Sequence, residues 1–67
     1  MTIEEIQARI NQIKEKRYDS EKAHILEAEL REKFIEYVAQ LNRIPHLQEK
    51  AALVLKTKQI EFKRWFA

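Results

Sequence analysis

Ile3, Ile6, Ile10 and Ile13 recur at steps of three and four, which draws one narrow apolar stripe along a helix. Thr2 and Glu5 stand at capping-box spacing ahead of it, and a first helix is predicted at about 3–17. Its other positions are mostly polar. Isoleucine is only a middling helix former, so the stripe has to be packed against something if the helix is to hold. Tyr18, Asp19 and Ser20 break the pattern, and either Asp19 or Ser20 can accept from the first free amides of a new helix.

A second helix is predicted over about 21–41. Ala23, Leu26, Leu30, Phe34, Tyr37, Val38 and Leu41 share one broad face, while Ile25, Ala28, Ile35 and Ala39 form a second stripe elsewhere on the circumference. Two apolar faces call for two partners. Glu27 with Arg31 and Glu29 with Lys33 stand four apart in the favourable order, each worth about 0.2–0.5 kcal/mol on an exposed helix. Pro45 ends this segment and suits the first turn of a third helix, predicted at about 46–58. On that helix Leu47, Ala51, Val54, Leu55, Phe62 and Trp65 lie in one arc, with Leu53 and Ile60 on the far side. Either the helix bends near Thr57, with an extension to 66 left open, or it too has a second partner. The fold class expected is an all-α, single-domain, three-helix chain over 1–67: a helical hairpin with a third helix packed on it.

Composition narrows what such a fold can do. At 67 residues the chain buries only about 60% of its unfolded surface, so its stability is marginal unless subunits associate. With no cysteine it has neither disulfides nor thiolate metal sites, and with no glycine it lacks the phosphate-cradling loops of nucleotide enzymes. The longest apolar run, Ala51 to Leu55, is far short of the roughly 20 residues that span a bilayer, and Glu4 and Glu5 stand where a signal peptide would be basic. A cytoplasmic chain, complete as written, is the expectation, with no membrane partner. The net charge of +2 is unevenly spread: residues 1–49 sum to −2 and residues 50–67 to +4.

Candidate chemistry is sparse. Glu21, His24, Glu27 and Arg31 gather acid, base and imidazole at helical spacing, an arrangement able to ligate a metal or hold an anion but equally ordinary as a solvated or interface cluster. His46 has only Glu49 and Lys50 at helical spacing. Ser20, the single serine, is accounted for by capping. We therefore expect no catalytic residues, no metal and no cofactor: the chain reads as a non-enzyme. The tail KTKQIEFKRWFA interleaves Lys56, Lys58, Lys63 and Arg64 with Phe62, Trp65 and Phe66, which suits a stacked base or an anionic ligand. Phe62 and Trp65 can instead close the core and leave the charges solvated, and +2 is a small excess for neutralising phosphates.

Two runs in the chain resemble a known pattern. Asp19 to Leu30, DSEKAHILEAEL, and Leu55 to Ala67, LKTKQIEFKRWFA, are similar to a group of small uncharacterised all-helical proteins from bacteria and their phages. That group carries Ala-His-x-x-Glu-Asp-x-Leu and ends in Ile-Asp-Phe-x-Arg-Trp-x-Ala. Ala23, His24, Glu27 and Leu30 match the first run; Ile60, Phe62, Arg64, Trp65 and Ala67 match the second. Ala28 and Glu61 depart from it, each standing where the pattern has Asp. The resemblance implies a phage or prophage setting and no mechanism, and it adds weight to His24, Glu27, Arg64 and Trp65 acting together, although a tail packed against the second helix for stability would account for the same matches.

The expected function is binding. The chain reads as a homo-oligomer or as an adaptor or inhibitor of a host protein, with Ile3, Ile6, Ile10, Ile13, Ile25 and Ile35 as candidate interface residues. The alternative is a nucleotide, nucleic-acid or other anionic-ligand binder in which His24, Glu27, Arg31, Lys63, Arg64 and Trp65 form the site.

Overall fold

The computed structural model describes residues 1–64, an all-α chain with helices α1 (Ile3–Glu15), α2 (Ser20–Gln40) and α3 (Leu47–Leu55), the last running into a 3-10 turn over Lys56–Gln59. Thr2 caps α1, its Oγ1 accepting from the Glu5 amide at 3.1 Å. The helix stops two residues earlier than its pattern suggests. The Lys16 amide donates back to the Gln12 and Ile13 carbonyls, and Arg17 Nη1 donates to the Lys14 carbonyl at 2.9 Å, so the last acceptors of α1 have partners without a further turn. Asp19 caps α2 through its carboxylate, which accepts from the Lys22 amide at 3.2 Å.

α1 lies between the other two helices, and both pack mainly on it rather than on each other. Ile6, Ile10 and Ile13 therefore form the middle of a core completed by Ala23 and Leu30 of α2, Val54 of α3, and Ile60. Met1, Leu26, Phe34, Leu53 and Phe62 close it from the sides. This corrects part of the expected oligomer interface. Ile6, Ile10 and Ile13 are buried within the single chain, because the stripe of α1 is the surface that α2 and α3 both need, and Ile3 is half-buried beside it.

The end of α2 gives way to α3 through an irregular stretch. His46 precedes α3 with φ 55° and ψ 38°, a left-handed conformation that glycine would normally fill; here histidine fills it, in a chain without glycine. Pro45 thus stands outside α3 rather than in its first turn. The buried side of α3 is carried by Lys50, Leu53 and Val54, while Leu55 projects into solvent and Leu47 is largely exposed, so the inward arc is rotated from the one the wheel assigned.

α3 does not extend to 66. A straight α-helix would carry Ile60 away from Val54, on the far side of the axis. Instead the chain tightens to a 3-10 turn, Thr57 and Ile60 both reach the core, and Ile60 leaves in an extended conformation with φ −79° and ψ 120°. The break near Thr57 is the cost of keeping Ile60 buried. Trp65, and the helix-three positions beyond it, lie outside the described residues.

α2 carries its two stripes as the pattern suggests, but only one is covered. Ala23 and Leu30 are buried and Leu26, Phe34 and Tyr37 half-buried, whereas Ile25, Ala28, Ile35 and Ala39 face outward. Val38 and Leu41, assigned to the inward face, are exposed because α2 outruns α1 and α3 at this end. Ile10→Ala should destabilise the chain by about 2–4 kcal/mol through the cavity it leaves, while Ile35→Ala should change stability by less than about 0.5 kcal/mol. Urea unfolding monitored by far-ultraviolet circular dichroism checks both.

Candidate functional site

Glu27 sits on α2 between Ala23 and Leu30, one turn from each, in the middle of the buried face. Only 3% of it is exposed. A carboxylate taken out of water needs a cation and hydrogen-bond donors, or burial costs several kcal/mol. The partner comes from the far end of the chain. Arg64 Nε donates to both carboxylate oxygens, at 3.2 and 3.3 Å, and Nη2 donates to Oε2 at 3.1 Å. Arg31, one turn along α2, adds a looser contact, its Nη2 lying 3.5 Å from Oε1.

The same guanidinium terminates the 3-10 turn. Arg64 Nη2 donates to the Thr57 carbonyl at 2.5 Å and to the Ile60 carbonyl at 2.7 Å. The last carbonyls of a helical segment lack internal donors and carry the negative end of its dipole, so a cation is favoured there. The guanidinium carbon also lies 4.0 Å from the centre of the Phe62 ring, and Phe62 packs on the core. Arg64 therefore joins three things: the acid of α2, the end of the 3-10 turn and an aromatic of the tail. The side chain of Arg64 remains 32% exposed, so solvent screens the outer edge of this cluster.

The residues expected to act together are partly assembled. Glu27, Arg31 and Arg64 meet; His24 is half-buried one turn before Glu27; Lys63 is exposed; Trp65 lies outside the described residues. Among the matched positions of the two runs, Ala23, Glu27, Leu30 and Ile60 are buried and Phe62 and Arg64 half-buried, and Arg64 joins the tail to α2 through Glu27. Among the described residues, no three of His, Cys, Asp or Glu gather closely enough to hold a metal ion. Glu29 and Lys33 do not form an ion pair, so Arg31 alone realises its predicted spacing.

Two features lie beyond what the pattern of residues suggested. Lys50, counted among the charges of the basic end, is buried on α3 with its Nζ donating to Tyr37 Oη at 2.8 Å and lying 5.2 Å from the centre of that ring. Its place three residues after Leu47 and four before Val54 is the signal that could have found it. The second feature is a groove of about 630 Å³ along α1 and α3, floored by Ile10, Leu53 and Ile60 and edged by Lys14, Arg17 and Lys56. Lys14 and Arg17 stand three apart at the end of α1, and packing brings Lys56 of the 3-10 turn beside them. No helix among the described residues is long and apolar enough to cross a membrane. Comparison of the chain with known protein families, with curated proteins and with solved structures finds no match.

Arg64→Ala and Glu27→Ala should each destabilise the chain by about 2–3 kcal/mol, less than for a fully buried pair because Arg64 is partly solvated, and the double variant should fall short of the sum by about 1–2 kcal/mol. Arg64→Lys should recover little, since an ammonium cannot reproduce the fork that spans a carboxylate and two carbonyls. A double-mutant cycle measured by urea unfolding reads both effects.

Proposed function

We propose that this chain is a small non-catalytic helical protein that works by binding other proteins, through apolar surface that its own three helices do not cover. One observation carries the reading: the second stripe of α2 stays outside, with Ile25 half in solvent and Ile35 67% exposed. Leu41, Leu47 and Leu55 add further exposed aliphatic surface. Single exposed aliphatics are ordinary, but several large ones on a chain of this size are the mark of an interaction surface. The setting we assign rests on the resemblance of the runs Asp19–Leu30 and Leu55–Ala67: a phage or prophage accessory protein, cytoplasmic, acting as an oligomer and as an adaptor or inhibitor of a host protein.

The anionic-ligand alternative has weaker support. It relies on His24, Glu27, Arg31, Lys63, Arg64 and Trp65; of these the fold engages Glu27 with Arg31 and Arg64, and Arg64 also with two backbone carbonyls, while Trp65 lies outside the described residues. An enzymatic reading gains nothing from the same cluster, because Glu27, the one buried carboxylate among the described residues, is already paired with two guanidinium groups.

A photo-activated cross-linking amino acid placed at Ile35, in the full chain expressed in a bacterial cytoplasm, tests the proposal. Protein adducts at Ile35 well above those from the same label at exposed Gln12 on α1 are the expected result. Equal, background-level labelling at Ile35, Ile25 and Gln12 would remove the reading.

A further inference from the structure

The groove along α1 and α3 and the outward face of α2 are complementary in charge, apolarity and length. Resting on the protein-binding reading, we propose that the groove of one copy receives the outward face of α2 from a second copy, so that chains associate head to tail. The groove floor is aliphatic, from Ile10, Leu53 and Ile60, and its rim carries Lys14, Arg17 and Lys56 against one acid, Glu61, a net of +2. Lys14 and Lys56 have no ion-pair partner among the described residues. Arg17 is held in place by its bond to the Lys14 carbonyl and by Nη2 donating to Tyr18 Oη at 3.1 Å, with the guanidinium carbon 4.6 Å from the Tyr18 ring centre.

The outward face of α2 has the opposite character. Glu29, Glu32 and Glu36 share a shallow surface with Lys33, a net of −2, flanked by exposed Ile25 and Ile35. None of these glutamates is in an ion pair among the described residues. Acids three, four and seven apart on one helix repel, which disfavours α2 in an isolated chain and is relieved when cations cover them. The lengths agree as well: Glu29 and Glu36, like Gln7 and Lys14, stand seven residues apart, about 10 Å at the α-helical rise. An α2 laid in the groove would set isoleucines over the aliphatic floor and glutamates against the basic rim. Because groove and face are different surfaces, every copy offers one and receives one, and association runs in series rather than closing as a two-fold dimer.

Sedimentation velocity on the full chain tests this. The wild type should gain mass with concentration, and lose that gain as salt rises from about 50 mM to about 500 mM, because exposed ion pairs are screened over this range. Two charge reversals, Lys14→Glu with Lys56→Glu and Glu29→Lys with Glu36→Lys, involve exposed side chains, and circular dichroism should show wild-type helicity for both. Each variant alone should sediment as an 8.1 kDa monomer, and an equimolar mixture of the two should associate again. Variants that assemble as the wild type does, or a mixture of well-folded variants that stays monomeric, would overturn the proposal. So would a wild type that remains at 8.1 kDa, as it would if the groove held a small anion or another protein; Ile35 cross-linked to a different protein would then leave the protein-binding reading standing, and an unlabelled Ile35 would remove both.

Discussion

A carboxylate in the middle of an apolar helix face governs how this chain closes. Glu27 cannot be turned to solvent without also turning Ala23 and Leu30 away from the core, since the three share one side of α2. Once buried it requires a positive fork, and α2 itself supplies only the looser Arg31. The tail supplies the other, and this shapes the C-terminal third of the molecule. The chain has to leave α3 and turn back toward α2 for Arg64 to reach Glu27, and the 3-10 turn with an extended Ile60 makes that return. A last segment that continued as a helix would present Ile60 and Arg64 to other sides of the axis.

The pairing gives the tail a specific place rather than a generic hydrophobic one. Replacing both Glu27 and Arg64 by well-packed apolar residues would also hold the helices together, since exchange of a whole buried ion pair is often neutral or stabilising, whereas removing one member strands the other. What the ion pair adds is geometric: the guanidinium is fixed by carboxylate oxygens, two carbonyls and the Phe62 ring at once, and few other placements of the tail satisfy all of them. Lys50 shows the same economy on α3. It is buried with its ammonium donating to the Tyr37 phenol oxygen, so a charged residue completes a small core that has few large aliphatics to draw on.

The helices and the cap at Thr2 were legible in the sequence because they depend on neighbours within four residues, and the second cap was narrowed to Asp19 or Ser20, of which the structure uses Asp19. The two faces of α2 were legible for the same reason. Which face would be covered was not, nor was the fate of the isoleucine stripe of α1: one narrow stripe is the same in a sequence whether a second chain or two helices of the same chain cover it. Glu27 and Arg64 were each marked out, but their contact spans 37 residues and depends on α3 ending at Leu55. The wheel left open whether α3 bends near Thr57 or meets a second partner, and the 3-10 turn over Lys56–Gln59 is that bend, which redirects the described positions after it. Lys14, Arg17 and Lys56 are ordinary surface cations in the sequence, and they become an edge only where α1 and α3 lie side by side.

This division of labour bears on where the chain can meet a partner. The polar residues that first suggest chemistry, Glu27, Arg31 and Arg64, are engaged by the fold itself, so altering them to probe binding would disturb the molecule rather than its surface. The side chains free of that duty are the plainer ones: aliphatics and glutamates on the back of α2, lysines along the groove. A chain this small has only three helices to bury two stripes on α2, one on α1 and one on α3, and α1 sits in the centre because its single stripe is shared by both neighbours. The second stripe of α2 is left over by that geometry.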